Sequence, residues 1–88
     1  MGKYEKLLNR ILSGASDHNI QFDDLCQLLR KMRFIERTRG SHHIFRRDGI
    51  SDLINLQRDN GKAKGYQVRK VREVIIKYNL AGEIDVSL

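Results

Sequence analysis

FIERTRGSHHIFRRDGISDLINLQ, residues 34–57, is where the hydrophobic period of the chain drops from about 3.6 to 2. FIERTR (34–39) and SHHIFRR (41–47) are short, rich in β-branched or aromatic residues, and separated by Gly40, which is a hairpin signal. Asp48-Gly49 is a second turn signal, and the segment after it predicts a third strand over 52–57. Strand alternation sends His42 and Ile44 to one face and His43 and Phe45 to the other. Phe45 is the bulkier apolar group and the better candidate for the core. His42 then faces outward, beside Arg39 or Ser41 at the hairpin end and Arg46 along the strand. Alternation alone leaves the opposite assignment open, with Ile44 in the core.

Helical patterns flank the strands. Tyr4, Leu7, Leu8, Ile11 and Leu12 make one apolar stripe and predict a helix over 3–13, ended by Gly14. Phe22, Leu25, Cys26, Leu29 and Met32 predict a second helix over 22–32, with Asp23 and Asp24 in its first turn and Arg30 and Lys31 in its last, as the helix dipole favours. Its cap is unclear, because Gln21 is a poor N-cap and Asp23 competes for the role. RDNGKAKG (58–65) reads as a loop, and Val68, Val71, Ile75 and Tyr78 predict a last helix over 66–79. Residues 81–88 read as a tail. The order α, α, β-β-β, α predicts one α+β domain over 1–88: a three-stranded antiparallel sheet with helices on one face and the other face open. An α-β-β-β-α core is the plan of double-stranded-RNA-binding domains, although topology alone implies no function.

Size and composition narrow the classes. At 88 residues the chain is one small domain. No apolar run approaches the roughly 20 residues of a membrane span. The N-terminal MGKYEKLLNRIL mixes charges among its leucines and does not read as a secretory signal. A single cysteine, Cys26, builds neither a disulfide framework nor a thiolate zinc cage, and on an apolar stripe it reads as a core residue. These features favour the cytoplasm. The net charge is +6, and residues 30–77 hold 14 of the 17 Lys/Arg but five of the 11 acids. A basic block carrying aromatics and hydroxyls points to an anionic partner, most commonly nucleic acid; the plain alternative is a solvated basic surface.

DLCQLLRKMRF, GSHHIF, LINLQ and NGKAKGYQVRKVREVI, in this order and spacing, resemble the HicA toxin family of bacterial toxin–antitoxin systems. The resemblance covers about residues 22–79 and leaves the 1–20 helix and turn outside. Three features depart from the family pattern. Met32-Arg33 replaces the usual small or glycine residue before Phe34. Gly65 stands where a proline often precedes the last helix. The first helix and acidic tail are additional. What the resemblance implies is a metal-free endoribonuclease that cuts messenger RNA on a double-stranded-RNA-binding-like fold. Its essential histidine maps onto His42, and a HicB-type antitoxin would cover the site.

The chemistry suits these residues. RNA cleavage without a metal uses the neighbouring 2′-hydroxyl as nucleophile, so one group takes its proton and another protonates the departing 5′-oxygen. Imidazole, with an unperturbed pKa of about 6.5, does either near neutral pH. Lys62, Lys64, Arg69 and Lys70, in the loop and first turns of the last helix, are candidates to grip the backbone, with Arg39, Ser41 and Arg46 near the histidine. Only one histidine is expected to face out, so water or a substrate group would fill the second proton-transfer role. No cofactor and no metal are expected: His42 and His43 diverge on a strand, and His18 reads as a loop residue. Ser41 lacks a nucleophile-elbow pattern and reads as a hairpin-end hydrogen-bonding group. No membrane or small-molecule partner is expected. Two other readings stand beside the nuclease. One is a non-catalytic RNA-binding module on the same basic face; the other is an adaptor for an acidic protein partner.

Overall fold

The computed structural model describes residues 2–83. The elements run α1 (Lys3–Ser13), α2 (Phe22–Lys31), β1 (Ile35–Arg39), β2 (His42–Arg47), β3 (Ile50–Asp59), β4 (Lys62–Ala63) and α3 (Gly65–Lys77), then a 3-10 turn at Ala81–Glu83. The class is α+β, as expected, with one antiparallel sheet in the order β1-β2-β3-β4. Of the expected 81–88 tail, residues 84–88 lie outside the described residues.

The expected three strands are four. The stretch read as a loop over 58–65 contains a hairpin. Asn60 and Gly61 have φ of 55° and 82°, the pair of left-handed residues that a type I′ turn requires. Asn tolerates that conformation and Gly adopts it without a Cβ clash. The turn lets β3 run on to Asp59 and folds Lys62 and Ala63 back onto Asp59 and Arg58. The segment before α2 then closes this edge: Gln21 bridges to Lys62, and the Ala63 N–H donates to the Ile20 carbonyl at 2.9 Å.

Register fixes which residues share a face. Phe45 pairs with Ile54 and His43 with Leu56, while Ile44 pairs with Asn55 and His42 with Gln57. Phe45, Ile54 and Leu56 are fully buried and join the core with Leu25, Leu29, Val68, Val71 and Ile75 from the helices. The open question about Phe45 and Ile44 is therefore resolved in favour of Phe45. α2 and α3 cover this side of the sheet, and α1 packs on both. α2, pressed between α1 and the sheet, buries a wider arc than its predicted stripe, including Leu28.

Two helices end the same way. At the end of α2 the Phe34 N–H reaches the Leu29 carbonyl and the Arg33 N–H reaches Arg30; at the end of α3 Leu80 reaches Ile75 and Asn79 reaches Ile76. These are Schellman motifs, with buried Phe34 and Leu80 as the apolar residue that follows. The left-handed position falls on Arg33 (φ 68°) and Asn79 (φ 55°), where glycine is commonest.

Candidate functional site

The sheet face away from the helices is a row-by-row surface. The first row joins Arg39, His42 and Gln57; the second joins Arg37, Ile44 and Asn55. Arg46 stands opposite Ile35 in the third, and Leu53 follows Asn55 along β3. Arg37, Arg39 and Arg46 are exposed, and none forms an ion pair among the described residues.

His42 is exposed, and its Nδ1 lies 3.2 Å from Asn55 Oδ1. An amide oxygen only accepts, so Nδ1 carries the hydrogen of this bond and Nε2 is the nitrogen left to act. Around it runs a short polar chain. The Lys64 ammonium donates to Gln57 Oε1 at 3.2 Å, and Gln57 Nε2 donates to Ser41 Oγ at 3.2 Å. Ser41 thus sits at the hairpin end as a hydrogen-bonding group.

The start of α3 is fastened beside this row by a buried side chain. β4 stops short of Gln57, so the Gln57 N–H has no strand to meet on that side. Gln67, which is 4% exposed, fills the gap: its Oε1 accepts the Gln57 N–H at 2.9 Å. Its Nε2 donates to Tyr66 Oη at 3.4 Å, and the Tyr66 ring is itself exposed in the first turn of α3.

His43 lives on the opposite face. Its Nδ1 is 2.6 Å from Glu36 Oε2, and its ring meets Phe22 edge-on with centroids 4.9 Å apart. Glu36 also accepts from Arg30 Nε at 3.0 Å. Partial burial pushes the Glu36 carboxyl up, but the hydrogen bonds from His43 and Arg30 together outweigh it and leave it below its ordinary value.

The other expected residues separate into groups. Lys64 belongs to the His42 row. Lys62 and Arg69 line a separate groove with the α1–α2 connection. Lys70 is not brought to His42: it pairs with Asp52 Oδ1 at 3.0 Å, five positions down β3 from Gln57, or about 16 Å of strand. Lys77 and Tyr78 hold the other Asp52 oxygen at 3.0 and 2.9 Å, and these three hydrogen bonds lower the Asp52 carboxyl to about 2. Arg47 turns to the helix side, to the Met32 carbonyl at 3.0 Å and Glu83 at 2.6 Å. Cys26 is buried in the core, and burial pushes its thiol up to about 11.

Asn55, Gln57, Gln67 and Tyr66 are the site neighbours that the sequence reading missed. Asn55 and Gln57 had a signal, since they alternate with Ile54 and Leu56. Gln67 had none, because its partner is a backbone N–H ten residues away. Among the described residues no three His, Cys, Asp or Glu side chains cluster closely enough to hold a metal ion, and no helix is long and apolar enough to cross a membrane. Comparison with protein-family models, curated proteins and solved structures finds no match to the chain.

Proposed function

We propose that the protein is a metal-independent endoribonuclease of HicA type, a cytoplasmic toxin that cuts messenger RNA and is held in check by a HicB-type antitoxin. The observation that carries this reading is the presentation of His42. It stands on the solvent-facing side of the sheet, with Nδ1 bonded to Asn55, Nε2 free, and Arg39 beside it in the same row. With Nδ1 protonated, Nε2 accepts the 2′-hydroxyl proton, and the resulting imidazolium returns it to the 5′-oxygen or to water. Arg39 and Arg46 are placed to attract the phosphate, and Lys64, held by Gln57, adds a fixed positive charge at the edge of the row. Exposed Tyr66 offers an aromatic face for a base.

Two further observations support the family reading. The α-β-β-β-α order of a double-stranded-RNA-binding-like core can be traced through α2, β1 to β3 and α3, with β4 as a short addition. Arg33, at the position where the family pattern has a small residue or glycine, adopts the left-handed conformation that glycine favours.

The test is cleavage of RNA in excess EDTA by the purified protein, and its loss in His42→Ala with the fold retained. Cleavage that stops in EDTA, or that survives in His42→Ala, sinks the catalytic assignment.

A second reading rests on the position of His43. Held by Glu36 and Phe22, it is not available as a partner acid for His42. A face with one free imidazole suits a non-catalytic RNA-binding module. In that case binding falls steeply with salt through counterion release, His42→Ala leaves it nearly unchanged, and no product forms on long incubation.

A further inference from the structure

A second basic site lies around the edge of the sheet from His42. The α1–α2 connection, β4 and the first turns of α3 enclose a groove of about 430 Å³, whose lining includes Ser16, Asp17, His18, Asn19, Lys62 and Arg69. Three of these side chains can carry positive charge, and they come from three separate segments. The one carboxylate among them is already committed: Asp17 takes both Arg72 guanidinium nitrogens, at 2.8 and 3.1 Å. Lys62 and Arg69 form no ion pair among the described residues.

The groove depends on a glycine. His18 lies so close to Gly65 that a Cβ there would come within 2.5 Å of the imidazole Cε1. Gly65 is the first residue of α3, a helix with no side-chain cap, so the ring is seated against the helix start. This imidazole had read as a plain loop residue.

The groove also continues the His42 surface. Lys64, which reaches Gln57 in the His42 row, immediately precedes Gly65 in the chain. Strand order puts β2 and β4 two strand spacings apart, about 10 Å. A path of positive charge thus runs from Arg39 and His42 through Lys64 to His18, Lys62 and Arg69.

We infer that this groove is a second backbone-phosphate subsite, which holds an RNA strand by a phosphodiester beyond the one at His42. It rests on the RNA reading of the His42 face, not on cleavage. A phosphodiester oxygen would accept from the His18 imidazole and the Arg69 guanidinium, and Lys62 would add a compact point charge.

The experiment uses the whole chain and a short, uncleavable 2′-O-methyl oligonucleotide, followed by NMR and by binding at several salt concentrations. The oligonucleotide is expected to shift the His18 ring and the Gly65 and Tyr66 amides. The Lys62→Gln/Arg69→Gln pair is expected to weaken binding about tenfold or more and to flatten the salt slope by roughly 1.4, at about 0.7 per lost phosphate contact on a single strand. Gly65→Ala, whose Cβ displaces the His18 ring, should weaken binding in the same direction. A melting temperature for each variant separates these effects from unfolding.

Unchanged affinity and salt slope in the folded double variant would overturn the inference while leaving His42 catalysis intact. Shifts with inorganic phosphate but none with the oligonucleotide would overturn it too, in favour of a free-anion site. Oligonucleotide shifts at His18 in a protein that never cleaves RNA would support the subsite and remove only the catalytic assignment.

Discussion

His42 and His43 are consecutive residues in different surroundings. His43 is clamped between a carboxylate and an aromatic edge on the helix-covered face, beside buried Phe45 and Leu56. His42 is exposed on the open face, with one ring nitrogen bonded to an amide and the other free. The pleat of β2 produces the whole difference. A side chain on the covered face serves the fold, because every partner it has is supplied by the chain. A side chain on the open face has polar capacity left over, and that is what a substrate can use. The contrast extends along the strand: Phe45 and Ile44 are neighbours too, one fully buried and the other only partly.

The sharpest way to break this contrast is at Phe45. Phe45→Ala should cost about 3–5 kcal/mol, a large part of the stability of so small a domain, whereas Ile44→Ala should cost about 1 kcal/mol or less. Chemical denaturation of both variants checks the pair, and equal costs would mean that the covered face has been misassigned. Next comes the histidine pair. His42→Ala should lower RNA cleavage by about 10² to 10⁴ with little change in melting temperature. His43→Ala should instead destabilise by about 1–3 kcal/mol, since it leaves Glu36 without a partner and removes the edge contact to Phe22. A folded His43→Ala protein that has lost cleavage while His42→Ala retains it would reverse the roles proposed for the two residues.

A third test concerns acid. Asp52, held by Lys77, Lys70 and Tyr78, has its carboxyl lowered from 3.8 to about 2. A depressed carboxylate contributes stability that is fully present above its unfolded value and is lost as pH falls through its folded one. Stability should therefore decline between about pH 4 and pH 2, and Asp52→Asn should flatten that decline; an unchanged slope in urea titrations across this range would refute the network. Glu36 acts in the same direction, being also lowered. The smallest effect is expected at the left-handed end of α2. Arg33→Gly should stabilise by about 0.5–1 kcal/mol, as glycine adopts this conformation without a Cβ penalty. A loss of stability there would show that the Arg33 side chain matters more than its backbone.

Much of the fold was legible because local rules sufficed. The apolar stripes of α1 and α3 needed only helical spacing, and the outward turn of His42 needed only the pleat and the size of Phe45. The fourth strand had a signal in Asn60-Gly61, a strong pair for a hairpin turn. Its lysine-rich surroundings read as a solvated loop, and the strand is only two residues long. The remaining misses are relations between distant segments. Lys70 looked like a cation on the approach to the active face, but Asp52, 18 residues away, neutralises it. Gln67 looked like a polar helix residue, yet it is buried because β4 ends before it can satisfy β3. His18 looked like a loop residue, and only the fold brings it against Gly65.

The strand order β1-β2-β3-β4 has one more consequence. Each strand pairs with the next along the chain, and the connections Gly40-Ser41, Asp48-Gly49 and Asn60-Gly61 are each two residues long. Closing such short loops costs little entropy, and contacts of low sequence separation go with fast folding. The chain contains no proline, so no slow prolyl isomerisation stands in the way. The sheet that carries His42 is therefore expected to form early and quickly, with the docking of α1 and α2, which come first in the chain, as the longer-range step.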